Sequence, residues 1–302
     1  MCQDRPLLGV MLMLGFCVFA PFGDALAKIL GQSVPLGQML LVRFAVQALI
    51  LVPMVLLTKR PWRMRKRVAY LTFLRTVLHM IGIGAMYLSL RFLPLADAIA
   101  IAFVMPFIIM LLGKTVLNEE VGRRRIVACA VGFVGTLLVI QPSFAEVGLP
   151  ALLPLLVAIV FSLFMMITRQ IAKDVDPLSL QAVSGTMATI LLVPVFAIGA
   201  PLGWVELQVI ATPPQTTSLL LFVGVFGTFA HLLMTWSLRY APSATLAPMQ
   251  YLEIPFATLI GWFLFSDLPN GLAAVGIIIT VAAGLYVVLS ERTMSRVAPQ
   301  VP

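Results

Sequence analysis

The chain has 302 residues, 61% of them hydrophobic and only 11% charged, with a formal net charge of +8. A soluble domain is about 45–50% apolar and about 25% charged, so a water-soluble globule is excluded. Most of the basic surplus sits in short segments between apolar runs, which points to membrane topology and anionic lipid rather than to nucleic acid.

Ten apolar stretches follow one another, at residues 7–30, 36–57, 68–89, 95–117, 124–141, 150–171, 178–198, 217–240, 244–265 and 271–289. Each is long enough, or nearly so, for a spanning helix of about 20 residues, whereas barrel strands would alternate over about 10. The expected fold is therefore an all-α membrane protein. The first stretch runs on too far for a signal peptide and shows no small-residue cleavage site, so it is expected to remain as the first helix. Connections are short and carry turn residues, as in Asp174-Val175-Asp176-Pro177 and Asp267-Leu268-Pro269-Asn270.

The chain repeats itself. Ser89, Leu90, Arg91, Pro94 and Ala96 reappear at a constant offset as Ser237, Leu238, Arg239, Pro242 and Ala244. After a slip of one residue, Pro106 and Phe107 match Pro255 and Phe256, and Gly135 matches Gly284. Two units of five helices are expected, 7–141 and 150–289. Five is odd, so the second unit enters the membrane inverted relative to the first, the plan of many secondary transporters, whose sites lie between the halves near the midplane. Lysine and arginine orient the chain. With a cytoplasmic N-terminus, the inner segments hold Arg5, Lys59, Arg60, Arg63, Arg65, Lys66, Arg67, Arg123, Arg124, Arg125, Arg169, Lys173, Arg239, Arg292 and Arg296, and the outer ends only Lys28 and Arg91. Both termini are expected inside.

Ionisable side chains within spans are costly and are functional candidates by default. Glu253 falls near the middle of the ninth stretch, where the first repeat has Val104 and Met105. It reads as a proton-carrying or substrate-binding carboxylate, or as the structural partner of a base on another helix. Gln250 shares its face, Tyr251 lies between them, and Pro255 is expected to bend the helix and free a carbonyl. Arg75 and His79 are one turn apart on the third stretch. Arg75 reads as part of the pathway, or as a structural pair or snorkelling cation. Arg43 reads as either a pathway residue or a helix-packing ion pair. Asp24 and Lys28 are spaced for a local salt bridge, with Asp24 a candidate for the cavity wall. Asp97 reads as a helix-start acid, His231 as a buried structural histidine, and Lys114, Glu119, Glu120 and Arg123–Arg125 as a solvated anchor. Cys2, Cys17 and Cys129 have no ligand spacing and read as small apolar fillers. Trp62, Trp204 and Trp262 sit where interfacial belts belong. Hydrolase, phosphate-loop and metal-ligand motifs are absent, so neither catalysis nor a cofactor or metal is expected.

The run LRFLPLADAIAIAFVMPFIIMLLGKTVLNEEVGRRR, the following VGFVGTLLVIQP, and the echo SLRYAPSATLAPMQYLEIPFATLIGWFLFSDLPN together resemble the EamA-type drug/metabolite transporters. The resemblance covers nearly the whole chain and departs where Asp267 replaces a frequent glutamate. It implies ten helices in two inverted five-helix repeats around a central cavity, carrying amino acids, carboxylates, vitamins such as riboflavin, or drugs without ATP. The combined expectation is an inner-membrane carrier, monomeric or homodimeric, whose partners are a small-molecule substrate, membrane lipids and, as coupling ion, the proton. Its cavity is lined from spans one, three, four, six, eight and nine, with Glu253, Arg75, His79, Arg43, Asp24, Gln250 and Tyr251 as candidate binding or coupling residues. A lipid scramblase or passive channel is the alternative. A scramblase would turn its polar groups to lipid.

Overall fold

A computed structural model describes residues 5–119, 122–268 and 271–297; of residues 125, 139–146, 248, 284 and 287–297 only the backbone is described. Cys2, Glu120, Pro269, Asn270 and the side chains of Arg125, Arg292 and Arg296 therefore lie outside the described residues. Helices cover all ten expected stretches: α1 (Pro6–Leu30), α2 (Leu36–Leu57), α3 (Lys66–Ser89), α4 (Leu95–Ala102), α5 (Met105–Val116), α6 (Arg123–Val147), α7 (Leu153–Ile171), α8 (Pro177–Gly199), α9 (Pro214–Tyr240), α10 (Ser243–Leu246), α11 (Glu253–Phe265) and α12 (Gly271–Val297). Among the described residues, seven helical stretches are long and apolar enough to cross a membrane, and 126–138 and 271–283 are shorter apolar helices. No strand occurs among the described residues.

Local chemistry sets the helix ends. Asp176 accepts hydrogen bonds from the free N–H groups of Leu178 (3.1 Å) and Ser179 (3.2 Å), and Pro177 starts α8 with a fixed φ and no N–H to leave unpaired. The same Asp176 takes a 2.6 Å ion pair from Arg60 on the α2–α3 connection. Helix α11 stops at Ser266, which adopts the left-handed conformation at φ 57°.

The repeated motif performs the same task twice. The Ser89 hydroxyl donates to the Met86 carbonyl at 2.7 Å, and the Ser237 hydroxyl to that of Met234 at 2.7 Å. Arg91 reaches back to the Val34 carbonyl (3.2 Å) and Arg239 to that of Val175 (3.0 Å), each tying the end of a third helix to the loop between the first two of its own repeat.

Packing couples the halves. The most extensive pairs are α1 with α9, α3 with α7, α2 with α8, and α6 with α12. Exchanging the two repeats converts α1–α9 into α7–α3 and leaves the other two pairs unchanged, as a pseudo-two-fold axis requires. Helices α2 and α8 hold equivalent places and run antiparallel: Gly37 lies against Phe196, Gln47 against Gly185, and Leu51 and Val55 cluster with Leu178 and Ala182. The repeats are inverted with respect to each other. In a bilayer, close helix approach replaces the hydrophobic driving force, so small residues mark the seams. A Cβ on Gly135 of α6 would stand 2.6 Å from the Gly276 carbonyl of α12.

The fourth helix of each repeat is interrupted rather than bent. Helix α4 ends at Ala102 and α5 restarts at Met105; α10 passes through a 3-10 segment, Ala247–Leu252, before α11 restarts at Glu253. Pro106 and Pro255 thus fall in the first turn of new helices, where a missing N–H costs nothing. The proline bends expected from the sequence are corrected to helix restarts, and Pro255 does not free a carbonyl within a continuous helix.

Candidate functional site

Between the halves lies a cavity of about 70 Å³. That is room for a few water molecules, well below the roughly 300 Å³ at which small-molecule pockets begin. Its wall takes Asp24 from α1, Arg43 from α2, Tyr87 from α3, Phe103 from α4, Met105 from α5, Phe161 from α7, His231 from α9 and Glu253 from α11. The lining matches the expected spans and adds α2.

Glu253 is 6% exposed. Its side chain makes no hydrogen bond or ion pair with any described residue, so the reading of a structural carboxylate–base pair finds no support. It sits where the 3-10 segment Ala247–Leu252 passes directly into α11, and its own backbone N–H donates to the Gln250 carbonyl. Asp24 is half-buried in the same wall and also lacks an ion pair among the described residues. The expected Asp24–Lys28 bridge is corrected: Lys28 Nζ instead binds Asp267 Oδ2 (3.0 Å) and the Leu93 carbonyl (3.2 Å), over the Phe265 ring. One helical turn separates Asp24 from Lys28, but Lys28 leans toward the membrane edge, where the end of α11 supplies an acid.

The bases are held by neutral groups. Arg43, 1% exposed, donates from Nη1 to Gln47 Oε1 (3.1 Å) and places Nη2 3.0 Å from His231 Nδ1. It forms no helix-packing ion pair among the described residues, although Asp24 and Tyr87 are within electrostatic reach. Gln47 donates to the carbonyl (2.7 Å) and side-chain oxygen (3.0 Å) of Gln181, which donates to the His231 carbonyl (2.9 Å) and Thr235 Oγ1 (2.6 Å). The chain Arg43–Gln47–Gln181–Thr235 ties α2, α8 and α9 together. Gly227 makes this possible, because any Cβ there would collide with the Arg43 guanidinium.

Arg75 is fully buried and does not snorkel. It donates from Nε to Thr168 Oγ1 (2.8 Å) and from Nη1 to Ser184 Oγ (2.6 Å), with its guanidinium 4.5 Å above the Phe164 ring. His79 stacks on Phe164 (4.6 Å) and meets His231 at 4.3 Å. His231, read from the sequence as structural, therefore joins the cluster and lines the cavity. The signal that could have found it is that the only two histidines of the chain lie on corresponding helices of the two repeats. Gln47, Gln181, Thr168 and Ser184 carried no comparable signal, since neutral polar residues are common in spans.

Gln250 and Tyr251 stand apart from the cavity. Gln250 Nε2 faces Met165 Sδ at 3.0 Å; the Tyr251 hydroxyl donates to the Cys129 carbonyl at 3.3 Å while its ring fills the space over Gly132. Cys17 and Cys129 are buried fillers.

Ion pairs close the interface at both ends of the bundle. At one end is Lys28–Asp267. At the other, Glu119 accepts from Arg169 Nε (3.1 Å), from Ser243 N and Oγ (3.2 and 2.6 Å) and from Ala244 N (3.1 Å). Glu119 thus caps α10. Its reading as part of a solvated anchor is corrected, because the start of α10 needs an acceptor and the end of α5 delivers one. Lys28 and Arg169 end α1 and α7, the first helices of the two repeats, and the acids follow the interrupted helices, so the two latches are pseudo-symmetric. Outside the spans, Arg91 holds Glu206 with two hydrogen bonds (2.6 and 3.1 Å), and the Leu36 N–H adds a third (2.8 Å). The Arg91 hydrogen bonds keep the Glu206 carboxyl below the usual carboxylate range.

Sequence comparison adds the family to the inverted halves and the charged residues between them. The profile described as EamA-like transporter family matches residues 7–141 and 148–290. The chain belongs to the EamA-like transporter family. A riboflavin transporter of Rhizobium johnstonii is 30% identical over 79% of this chain and 74% of its own. An S-adenosylmethionine uptake transporter of Rickettsia prowazekii is 24% identical over 94% of this chain and 93% of its own, and a pseudopaline exporter of Pseudomonas aeruginosa 23% identical over 96% and 95%. A crystal structure superimposes with a TM-score of 0.69 at 16% identity, covering 96% of this chain and 98% of its own, which shows the shared fold. This EamA chain is a multi-pass membrane protein with the two-repeat transporter fold.

Proposed function

We propose that this protein is a proton-coupled secondary carrier of a small metabolite in the plasma membrane, with both termini cytoplasmic and ten spanning segments. The observation that carries the reading is Glu253: a buried carboxylate with no hydrogen-bond or ion-pair partner among the described residues, at the interruption of the fourth helix of its repeat, on the wall of the cavity between inverted repeats. Such a group can take a proton or a cationic part of the substrate while the cavity is closed. Arg43, Asp24 and His231 complete the polar wall, and Phe16, Phe103 and Phe161 supply flat apolar surface. Relatives named as a riboflavin transporter, an S-adenosylmethionine uptake transporter and a pseudopaline exporter support a metabolite as the cargo.

A cavity of about 70 Å³ is too small for such cargo, so the halves must part to admit it. The two latches are then the gates: breaking Lys28–Asp267 opens one end, and breaking Arg169–Glu119 opens the other. The polar groups face inward, not toward lipid, which favours a carrier over a scramblase. The test is counterflow in proteoliposomes preloaded with riboflavin, S-adenosylmethionine or an amino-acid and carboxylate panel. Saturable counterflow of at least one compound is expected. Flux that never saturates, or none at all in correctly folded protein, would sink the carrier reading.

A further inference from the structure

The two buried arginines are treated differently by their surroundings. Arg43 has both terminal nitrogens engaged and Asp24 within electrostatic reach. Arg75 has neither advantage. Two hydroxyls and one aromatic face hold it, and among the described residues no acid pairs with it and no acceptor meets its Nη2. A fully buried guanidinium without a counter-charge is costly to desolvate. Folding alone would select a carboxylate beside it, or an apolar residue in its place.

The idle groups next to it share that character. Both ring nitrogens of His79, one turn along α3, lack partners, as does His231 Nε2. The Ser184 hydroxyl accepts from Arg75 and donates to no described residue. Arg75 and His79 both pack on the Phe164 ring. Neither lines the central cavity, whereas His231 does. The His79–His231 contact is therefore the partition between the cavity and the Arg75 region.

We infer that Arg75 is the docking point for an oxyanion of the carried molecule, in a subsite separated from the central cavity by the tilted His79–His231 ring contact. This rests on the carrier reading above and names its substrate class: a molecule with a carboxylate or phosphate-type group. One oxygen takes the free Nη2–H groups, and a second takes the His79 N–H and the Ser184 hydroxyl. Thr168 and Ser184 fix the guanidinium plane, so the unused edge is presented in one orientation. To reach this edge the substrate must part the two histidines, which places anion capture after entry into the cavity rather than at a gate.

The experiment is thermal stabilisation of the purified full chain by a metabolite panel sorted into carboxylates, phosphate esters, zwitterions, neutral compounds and cations, for wild type, Arg75→Gln and Arg75→Lys. Every stabilising compound is expected to carry an oxyanion. Its apparent affinity should fall at least about tenfold in Arg75→Gln and recover in part in Arg75→Lys, which keeps the charge but not the fork. If Arg75→Gln does not fold, Arg75→Lys and Ser184→Ala are read instead, and each should weaken oxyanion compounds alone. Stabilisation by neutral or cationic compounds only, equal affinity of oxyanion compounds for wild type and the variants, or no oxyanion hit overturns the subsite. Counterflow separates it from the carrier reading. Oxyanion binding that depends on Arg75, with no wild-type counterflow, keeps the subsite and sinks the carrier. Counterflow of a neutral compound undiminished in Arg75→Gln does the reverse.

Discussion

Met105 and Glu253 each open the helix that follows the interruption of the fourth helix of their repeat, yet one is apolar and the other a carboxylate. The acids at the far ends of these helices differ in the opposite sense. Glu119 is enclosed and accepts four hydrogen bonds, while Asp267 is more open and, among the described residues, its side chain binds Lys28 alone. The first repeat thus places its better-held acid at the membrane edge, and the second places an unheld acid in the middle. The difference teaches that the inverted scaffold is shared by the two copies while the placing of their buried acids is not.

The largest effect is expected at the centre. Glu253→Gln, uncharged at every pH, should lower counterflow at least about tenfold, equivalent to about 1.4 kcal/mol, and flatten its pH dependence, whereas Met105→Leu at the other interruption should stay within about twofold. Equal losses from both, or an unchanged pH profile in Glu253→Gln, would erase the functional contrast between the two interruptions.

The latches come next. Glu119→Gln removes the charge facing Arg169 and turns one acceptor into a donor beside the start of α10, and should cost about 2–4 kcal/mol in unfolding measurements. Asp267→Asn, at a side chain 37% exposed, should cost less than about 1 kcal/mol. Similar midpoint shifts in one detergent would show that the two gates are energetically alike. Gly227→Ala sharpens the picture from a third direction. Its methyl group displaces Arg43, so a loss of about 1–3 kcal/mol is expected, restored in part by Arg43→Ala in the same chain.

The smallest effect lies outside the spans. Arg91 depresses the Glu206 carboxyl, so the contribution of that pair is present above the unfolded value of about 4.3 and is lost as the pH falls through the lower folded value. Below about pH 4 the wild type should therefore lose stability more steeply than Glu206→Gln, by a small margin because Glu206 is largely solvated. Parallel acid-unfolding profiles would remove Glu206 from the account.

Particular residues show what could be read in advance. The apolar runs announced helices because lipid offers the backbone no other partner, and Arg91 and Arg239 announced the repeat because the same turn needs the same ties in both copies. Glu253, Arg75 and Arg43 stood out because a charge inside an apolar run is conspicuous. Gln47, Gln181, Thr168 and Ser184 did not, since a neutral polar side chain can bond within its own helix and signals nothing until its neighbours are known. The partner of Lys28 was misplaced for a related reason: spacing along one helix shows which side chains can meet, and not which competing acid another helix brings closer.

The sequence by itself determined that the chain lives in a membrane, that its helices fall into two related halves, and that a handful of buried charges must be explained. Only the tertiary structure decided that the prolines of the fourth helices fall at the start of new helices, that His231 belongs with His79, and that no described acid pairs with Arg75 while Lys28 and Arg169 each meet one. The physical reason is one of range. Bilayer thickness and backbone satisfaction act on each segment alone and leave their mark in local composition. Charge compensation in a low-dielectric interior is decided among side chains from different helices, after those helices have packed.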